Sequence, residues 1–157
     1  DAEGRLVLAD ILTYVQKKYN PSSIIDFATL TGAIMIALGT HKAGLFSNND
    51  LLSKKLIDAG EIVNENLWRL PLGKEYDNEI NSSRADMKNI GSSRFGGSTH
   101  AAEFINRFIK DEIPWAHLDI AGVSWTLKGG QNNITKLHTP GATAFGVRLI
   151  DQYLKGK

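Results

Sequence analysis

Ser23-Ile24-Ile25-Asp26-Phe27-Ala28 (SIIDFA) runs straight into Thr29-Leu30-Thr31-Gly32 and then into the apolar stretch Ala33 to Leu38. The first six residues are short, β-branched and apolar, which reads as a strand buried within a sheet. The TLTG segment links it to a compact apolar helix. Upstream, Leu8, Ile11, Leu12, Val15 and Tyr19 fall at helical spacing, Lys17 and Lys18 suit the negative end of that helix, and Asn20-Pro21 stops it. Downstream, Ala43 to Phe46 and Leu67 to Leu70 are strand candidates. Between them an amphipathic helix over Asp50 to Asn64 is expected to bury Leu51, Leu52, Leu56 and Ile62. A short helix is expected over Lys74 to Ile80. Ala85 to Ile90 then leads to a glycine-bearing loop, Gly91 to Gly97. A helix over Thr99 to Lys110 would bury Ala102, Phe104, Ile105 and Phe108, and Trp115 to Ile120 (WAHLDI) is another strong strand. Lys128 to Pro140 reads as a long loop, and Phe145 to Leu154 as a closing helix. Strands alternating with helices at these lengths predict an α/β fold with a central sheet flanked by helices on both faces.

The chain has 157 residues, enough for one domain with a core of its own. It is 42% hydrophobic and 22% charged, with a net charge of +1, so no electrostatic argument favours a nucleic acid or an anionic membrane surface. It has no cysteine, which removes disulfides, thiol nucleophiles and thiolate metal sites and agrees with a cytoplasmic location. The longest apolar run, Ala28 to Thr40, contains three threonines and is too short to span a bilayer. No signal-peptide pattern opens the chain. A first residue of Asp rather than Met points to a processed, truncated or incomplete chain.

The opening Asp1-Ala2-Glu3-Gly4-Arg5 carries the chemistry. In an extended segment Asp1, Glu3 and Arg5 would share one face. Two carboxylates there offer hard oxygen ligands to Zn²⁺, Mn²⁺ or Mg²⁺, and a carboxylate can bridge two ions. The arginine could hold an anion or steady an oxyanion, and Gly4 allows a close approach. The bland alternative is that acids near a helix N-terminus are favourable whatever the function.

The motif gains its meaning from the rest of the chain. Asp1 to Asp10 (DAEGRLVLAD) is similar to the signature of the leucyl (cytosol) aminopeptidase family. The resemblance continues through Ala28 to Ala33, Ala85 to Gly91, Trp115 to Gly122 and Gly141 to Leu149, in the family's order and over nearly the whole chain. It implies an incomplete two-metal aminopeptidase catalytic domain with a mixed central sheet, acting on peptides from their N-terminus. By the resemblance Asp1 would ligate one divalent ion (Zn²⁺ or Mn²⁺, or else Mg²⁺) and Glu3 would bridge two. Arg5 would be the catalytic arginine, holding a bicarbonate-like anion that acts as general base. The backbone at Leu30 and Gly32 would bond the peptide, while Thr29 and Gly32 line the pocket for its first side chain. Ala121 and Ser124 match further pocket positions. The family often has a larger apolar residue in place of Ser124, which leaves the side-chain preference open. The remaining metal ligands and a second catalytic lysine precede the signature in the family, so residues 1–157 match the C-terminal portion of the catalytic domain and are expected to be inactive alone. The resemblance also implies a homo-hexamer for the intact enzyme.

Other constellations read more simply. His100 and Glu103, at i and i+3, are expected to be a helix-surface pair or an N-terminal helix contact rather than a metal site. His117 and Asp119 share a strand face, but no G-x-S-x-G accompanies them, so structural hydrogen bonding is expected. Arg94 to Ser98 lacks both the P-loop ending and the dinucleotide fingerprint, and reads as a flexible loop and helix cap. Asp86 and Lys88 form a structural or site-adjacent pair. The tryptophans and Phe145 read as core or interface residues. The competing class is a non-catalytic α/β assembly or binding module; a phosphate-binding domain using the Gly96-Gly97 loop is a weaker third.

Overall fold

The computed structural model describes residues 2–126 and 140–156; Asp1 and most of the loop expected from Lys128 lie outside the described residues. Four strands form the main sheet: β1 (Ile24–Ala28), β2 (Ala43–Ser47), β3 (Leu67–Arg69) and β4 (Trp115–Asp119), in the order β1-β4-β2-β3. β4 pairs parallel with β1, Ile24 opposite Trp115 and Ala28 opposite Asp119. It pairs antiparallel with β2, which is itself parallel to β3. The sheet is therefore mixed, as expected. β4 has neighbours on both edges, and all five of its residues are buried.

Alternation along the strands assigns the two faces. Leu45, Ala116 and Leu118 point to one core with Leu56, Leu149 and Tyr153, contributed by α3 (Asp50–Val63) and a C-terminal helix, Val147–Lys155. Ile24, Phe46 and Trp115 point to the other. That core is closed by Leu12 of α1 (Glu3–Tyr19), Ile34 of α2 (Gly32–Leu38) and Ile105 of a helix over Gly97–Asn106. A short α4 (Lys74–Asn78) precedes that last helix, which is α5; the C-terminal helix is α6. Gly44 faces Ile34 so closely that a Cβ there would overlap the isoleucine side chain, which fixes how near α2 lies to the sheet. Two further short strands, β5 (Trp125–Thr126) and β6 (Gly141–Ala142), pair antiparallel and were not anticipated from sequence. Among the described residues, no helix is long and apolar enough to cross a membrane.

Several local expectations are corrected. The buried stripe of α1 is Arg5, Ala9, Leu12 and Gln16, while Ile11 and Tyr19 are exposed. Gln16 belongs inside because its amide bridges the Leu12 and Phe108 carbonyls, both at 2.8 Å, and accepts from Lys110 N. In α3, Leu52 and Leu56 are buried, but Leu51 and Ile62 are exposed, their places taken by Ser53, Ala59 and Gly60. Of the tryptophans Trp115 is core, while Trp68 and Trp125 are exposed, which leaves them the interface half of the core-or-interface expectation.

Candidate active site

Beyond the carboxyl end of β1 lies a cleft of about 440 Å³, in the position where open α/β sheets gather ligands. Glu3 and Arg5 form one wall, Thr29 to Gly32 another, and Ile90 with Gly97 closes the side. The structure thus brings together three groups of residues far apart in sequence.

The extended-strand reading of the opening motif is corrected. Glu3 begins α1, so Glu3 and Arg5 lie about 200° apart around a helix axis rather than on one strand face. They still share the cleft because it lies over the helix's first turn. Ala2, at φ 60, is a left-handed alanine that turns the chain into that helix. Glu3 is exposed, and its carboxylate has no partner among the described residues. A Cβ at Gly4 would meet Leu30 Cδ1 at 3.4 Å, and among the described residues no backbone atom lies close enough to require a glycine there.

Arg5 is 7% exposed. Its Nη1 donates to Asn89 O at 2.7 Å, while its Nε is buried with no hydrogen-bond partner among the described residues. Burial lowers its pKa, and the charge of Asp119 pulls the other way. A guanidinium is basic enough to remain charged through such a shift. A buried cation with an open donor is a place for an anion.

The opposite wall is held by Asp119, at the end of β4. Its Oδ2 accepts from Thr31 Oγ1 at 2.6 Å, and its Oδ1 from Leu30 N at 3.1 Å and Ala121 N at 3.3 Å. Thr31 Oγ1 also caps α2 through Ile34 N and meets Ser98 Oγ of α5 at 2.9 Å. One carboxylate therefore ties the TLTG turn to the sheet, which bears out the structural reading of Asp119. This organising role of Asp119 was missed from sequence. The available signal was an acid ending a strand opposite Ala28, whose next residues are the TLTG turn.

Ala121 and Ser124 sit in the turn after β4 and are not part of the cleft wall. Val123 N and Ser124 N both donate to Ile120 O, closing that turn. His117 is structural, as expected: Nδ1 meets Asp26 Oδ1 at 2.6 Å, and Asp26 also accepts from Trp115 Nε1. The surface expectation for His100 and Glu103 is corrected, since they are 2% and 4% exposed. They also separate: His100 lies beside Tyr76, whereas Glu103 accepts from Gly73 N at 2.6 Å. Gly96 is the N-cap of α5, as the helix-cap reading of Arg94 to Ser98 expected, and caps through its backbone, its carbonyl accepting from His100 N at 2.9 Å. Lys88 Nζ donates to Ser92 Oγ rather than pairing with Asp86.

The donor set fits a share of a divalent-cation site. Glu3 offers a free hard oxygen in the cleft, but among the described residues no three His, Asp or Glu side chains converge. Asp1 lies outside the described residues.

Fold and cleft together define an α/β domain with an acid and a buried arginine facing a backbone-lined wall at the carboxyl end of its sheet. A family model described as the cytosol aminopeptidase family, catalytic domain, matches residues 1–150. The chain belongs to the cytosol aminopeptidase family. It is 58% identical over 156 residues to the cytosol aminopeptidase of Rickettsia prowazekii (strain Madrid E), covering 99% of this chain and 30% of that protein. A probable cytosol aminopeptidase of Rickettsia typhi matches to the same extent, at 58%. Among solved structures, a tomato leucine aminopeptidase mutant superposes with a TM-score of 0.89 at 39% identity, covering 100% of this chain and 29% of that chain. The chain thus spans about 30% of the length of the curated relatives it matches.

Proposed function

We propose that this chain contributes part of the active site of a metal-dependent aminopeptidase that removes N-terminal residues from peptides in the cytoplasm. The observation that carries the reading is that Glu3, Arg5 and the Thr29 to Gly32 segment wall one cleft in a member of this family. Residues 1–157 take the C-terminal portion of the catalytic domain, and the remaining metal donors are assigned to protein outside these residues.

In this reading Asp1 and Glu3 hold divalent ions, Zn²⁺ or Mn²⁺ or else Mg²⁺. Bound there, such ions supply Lewis-acid polarisation of the scissile carbonyl and a water of lowered pKa. Arg5 offers its unpaired Nε to a bicarbonate-like anion, which places a proton acceptor beside the reacting carbonyl. The charge of Arg5 also favours the oxyanion as it develops. The backbone at Leu30 and Gly32 aligns the peptide and Thr29 and Gly32 flank its first side chain, while Ala121, tied to the same turn through Asp119, and Ser124 lie outside the cleft wall. The name of the relatives, cytosol aminopeptidase, supports the location. Assembly into a homo-hexamer would cover exposed apolar side chains such as Ile36, 91% exposed, and Phe95, 74% exposed.

A non-catalytic assembly or binding module is the second reading. It is favoured by the incomplete ligand set among the described residues. The discriminating experiment is hydrolysis of an N-terminal leucyl peptide by the intact protein. Activity that disappears with a chelator and returns with Zn²⁺ or Mn²⁺ supports the first reading; binding to a partner without any hydrolysis supports the second.

A further inference from the structure

A second cavity of about 390 Å³ adjoins the cleft and shares Arg5, Ile90 and Gly97 with it. Its other wall is formed by Gly91 to Arg94 and by His100. We propose that this cavity is a carboxylate subsite on the leaving-group side of the cleft, receiving the C-terminal carboxylate of a short peptide. The proposal rests on the aminopeptidase reading of the neighbouring cleft.

Its centre is His100, which is 2% exposed, lines the cavity and makes no hydrogen bond through either ring nitrogen among the described residues; Glu79 Oε2 stands 3.3 Å from Nε2. Buried polar groups of this kind are ordinarily satisfied, so an imidazole without a hydrogen bond in a cavity wall leaves polar capacity there for a ligand. The ring is held there by close contacts. A Cβ at Gly91 would overlap Nδ1, one at Gly96 would stand 3.4 Å from Nε2, and the Tyr76 ring lies 6.2 Å away, centroid to centroid.

The surrounding charge favours an anion. Arg5 and Arg94 line the cavity, and Lys88 Nζ reaches Ser92 Oγ at 3.0 Å on its edge. Gly97, the first residue of the ten-residue α5, lines the cavity without a side-chain cap, which brings the positive end of that helix dipole to its wall. The opposing carboxylate is Glu79, whose Oε2 lies 3.3 Å from His100 Nε2, an ionic contact only when the ring is protonated. Three cations and a helix N-terminus thus outweigh one half-exposed acid. A planar carboxylate suits the fork of Arg94. A peptide advances about 3.5 Å per extended residue, so a carboxylate one or two residues past the scissile bond moves roughly 4–7 Å, into the adjoining space.

The test compares Gly-Gly-Gly with its C-terminal amide by calorimetry on the intact protein, with Arg94→Gln and His100→Gln as variants; Arg94 is exposed, so its substitution spares the fold. The expected result is about tenfold tighter binding of the acid by the wild type, a preference that collapses toward one in Arg94→Gln. Equal affinities for acid and amide in the wild type, or a preference that survives both substitutions, would overturn the subsite. Inorganic phosphate binding as tightly as the peptide acid, and lost in the same variants, would make it a site for a free oxyanion and overturn the peptide assignment. Hydrolysis of Leu-Gly-Gly and its amide is read in parallel. If neither is cleaved, the peptidase reading falls, while the binding comparison still decides the subsite.

Discussion

Thr31 Oγ1 donates to Asp119 Oδ2 at 2.6 Å, joining the turn after β1 to the end of β4 across 88 residues of sequence. The same hydroxyl accepts from Ile34 N as the N-cap of α2. Thr31→Val keeps the shape but removes both the cap and a hydrogen bond to a charged acceptor. A loss of about 2–4 kcal/mol is expected in urea unfolding. Thr31→Ser should recover most of it. If Thr31→Val unfolds at the wild-type midpoint, the Asp119 anchor is not what holds the turn.

Glu65 is a second buried anchor, at 1% exposure. It accepts from Gly146 N at 3.0 Å, Leu149 N at 2.9 Å and Arg148 Nε at 3.2 Å, so a side chain from the α3–β3 connection satisfies the start of α6. Glu65→Ala strands those donors and should cost about 2–4 kcal/mol, with Glu65→Gln in between. Chemical denaturation of the three proteins checks the order. An alanine variant as stable as the glutamine one would contradict it.

Glu103 makes stability depend on pH. Burial pushes its carboxyl above the ordinary 4.5, and the donors Gly73 N and Asn106 Nδ2 pull part of the way back. The folded chain therefore holds this proton more tightly than the unfolded one. Its stabilising contribution is fully present below the unfolded pKa and is lost as pH rises through the raised folded value. Glu103→Gln keeps an acceptor for Gly73 without a charge. Its Tm, relative to wild type, should climb between about pH 4 and about pH 7. Parallel Tm curves across that range would show that the buried carboxyl is not the source.

Arg5 is set to act through geometry as well as charge, since Asn89 O fixes Nη1 while Nε stays open. Lysine carries the charge but not the fork. Arg5→Lys in the intact protein is expected to lower kcat on a leucyl peptide by about 10²–10³-fold, and added bicarbonate should not restore it. A variant that retains wild-type kcat would remove Arg5 from the chemistry.

Glu3 offers the contrast of an exposed acid without a partner among the described residues. Glu3→Ala should leave the stability within about 0.5 kcal/mol of wild type, as for a surface change, while abolishing metal-dependent hydrolysis. Full activity in Glu3→Ala would refute its assignment to the metal.

Much of this was legible in the residues themselves. Local composition marks β1 and β4 as strands, but only pairing decides that β4 lies inside the described sheet with both neighbours while β1 stands at its edge, half-buried at three of five residues. The turn at TLTG and the acid–arginine pair at the start of α1 also stand out, since their chemistry depends on residue type and close spacing. Sequence by itself did not determine which side of each helix faces inward. The spacing of Leu8, Ile11, Leu12, Val15 and Tyr19 suggests one face of α1; Leu12 is core and Leu8 packs against it, but Ile11 and Tyr19 are exposed and the Phe108 carbonyl and Lys110 N draw Gln16 inside. Likewise His100 and Glu103 read as a surface pair, and only the packing of α4 and the Gly91 and Gly96 turns against α5 buried them. The physical reason is range. Propensity and periodicity act over a few residues, whereas the cleft is made where Asp119 meets Thr31 and Arg5 meets Asn89, contacts set only once the strands have paired in register.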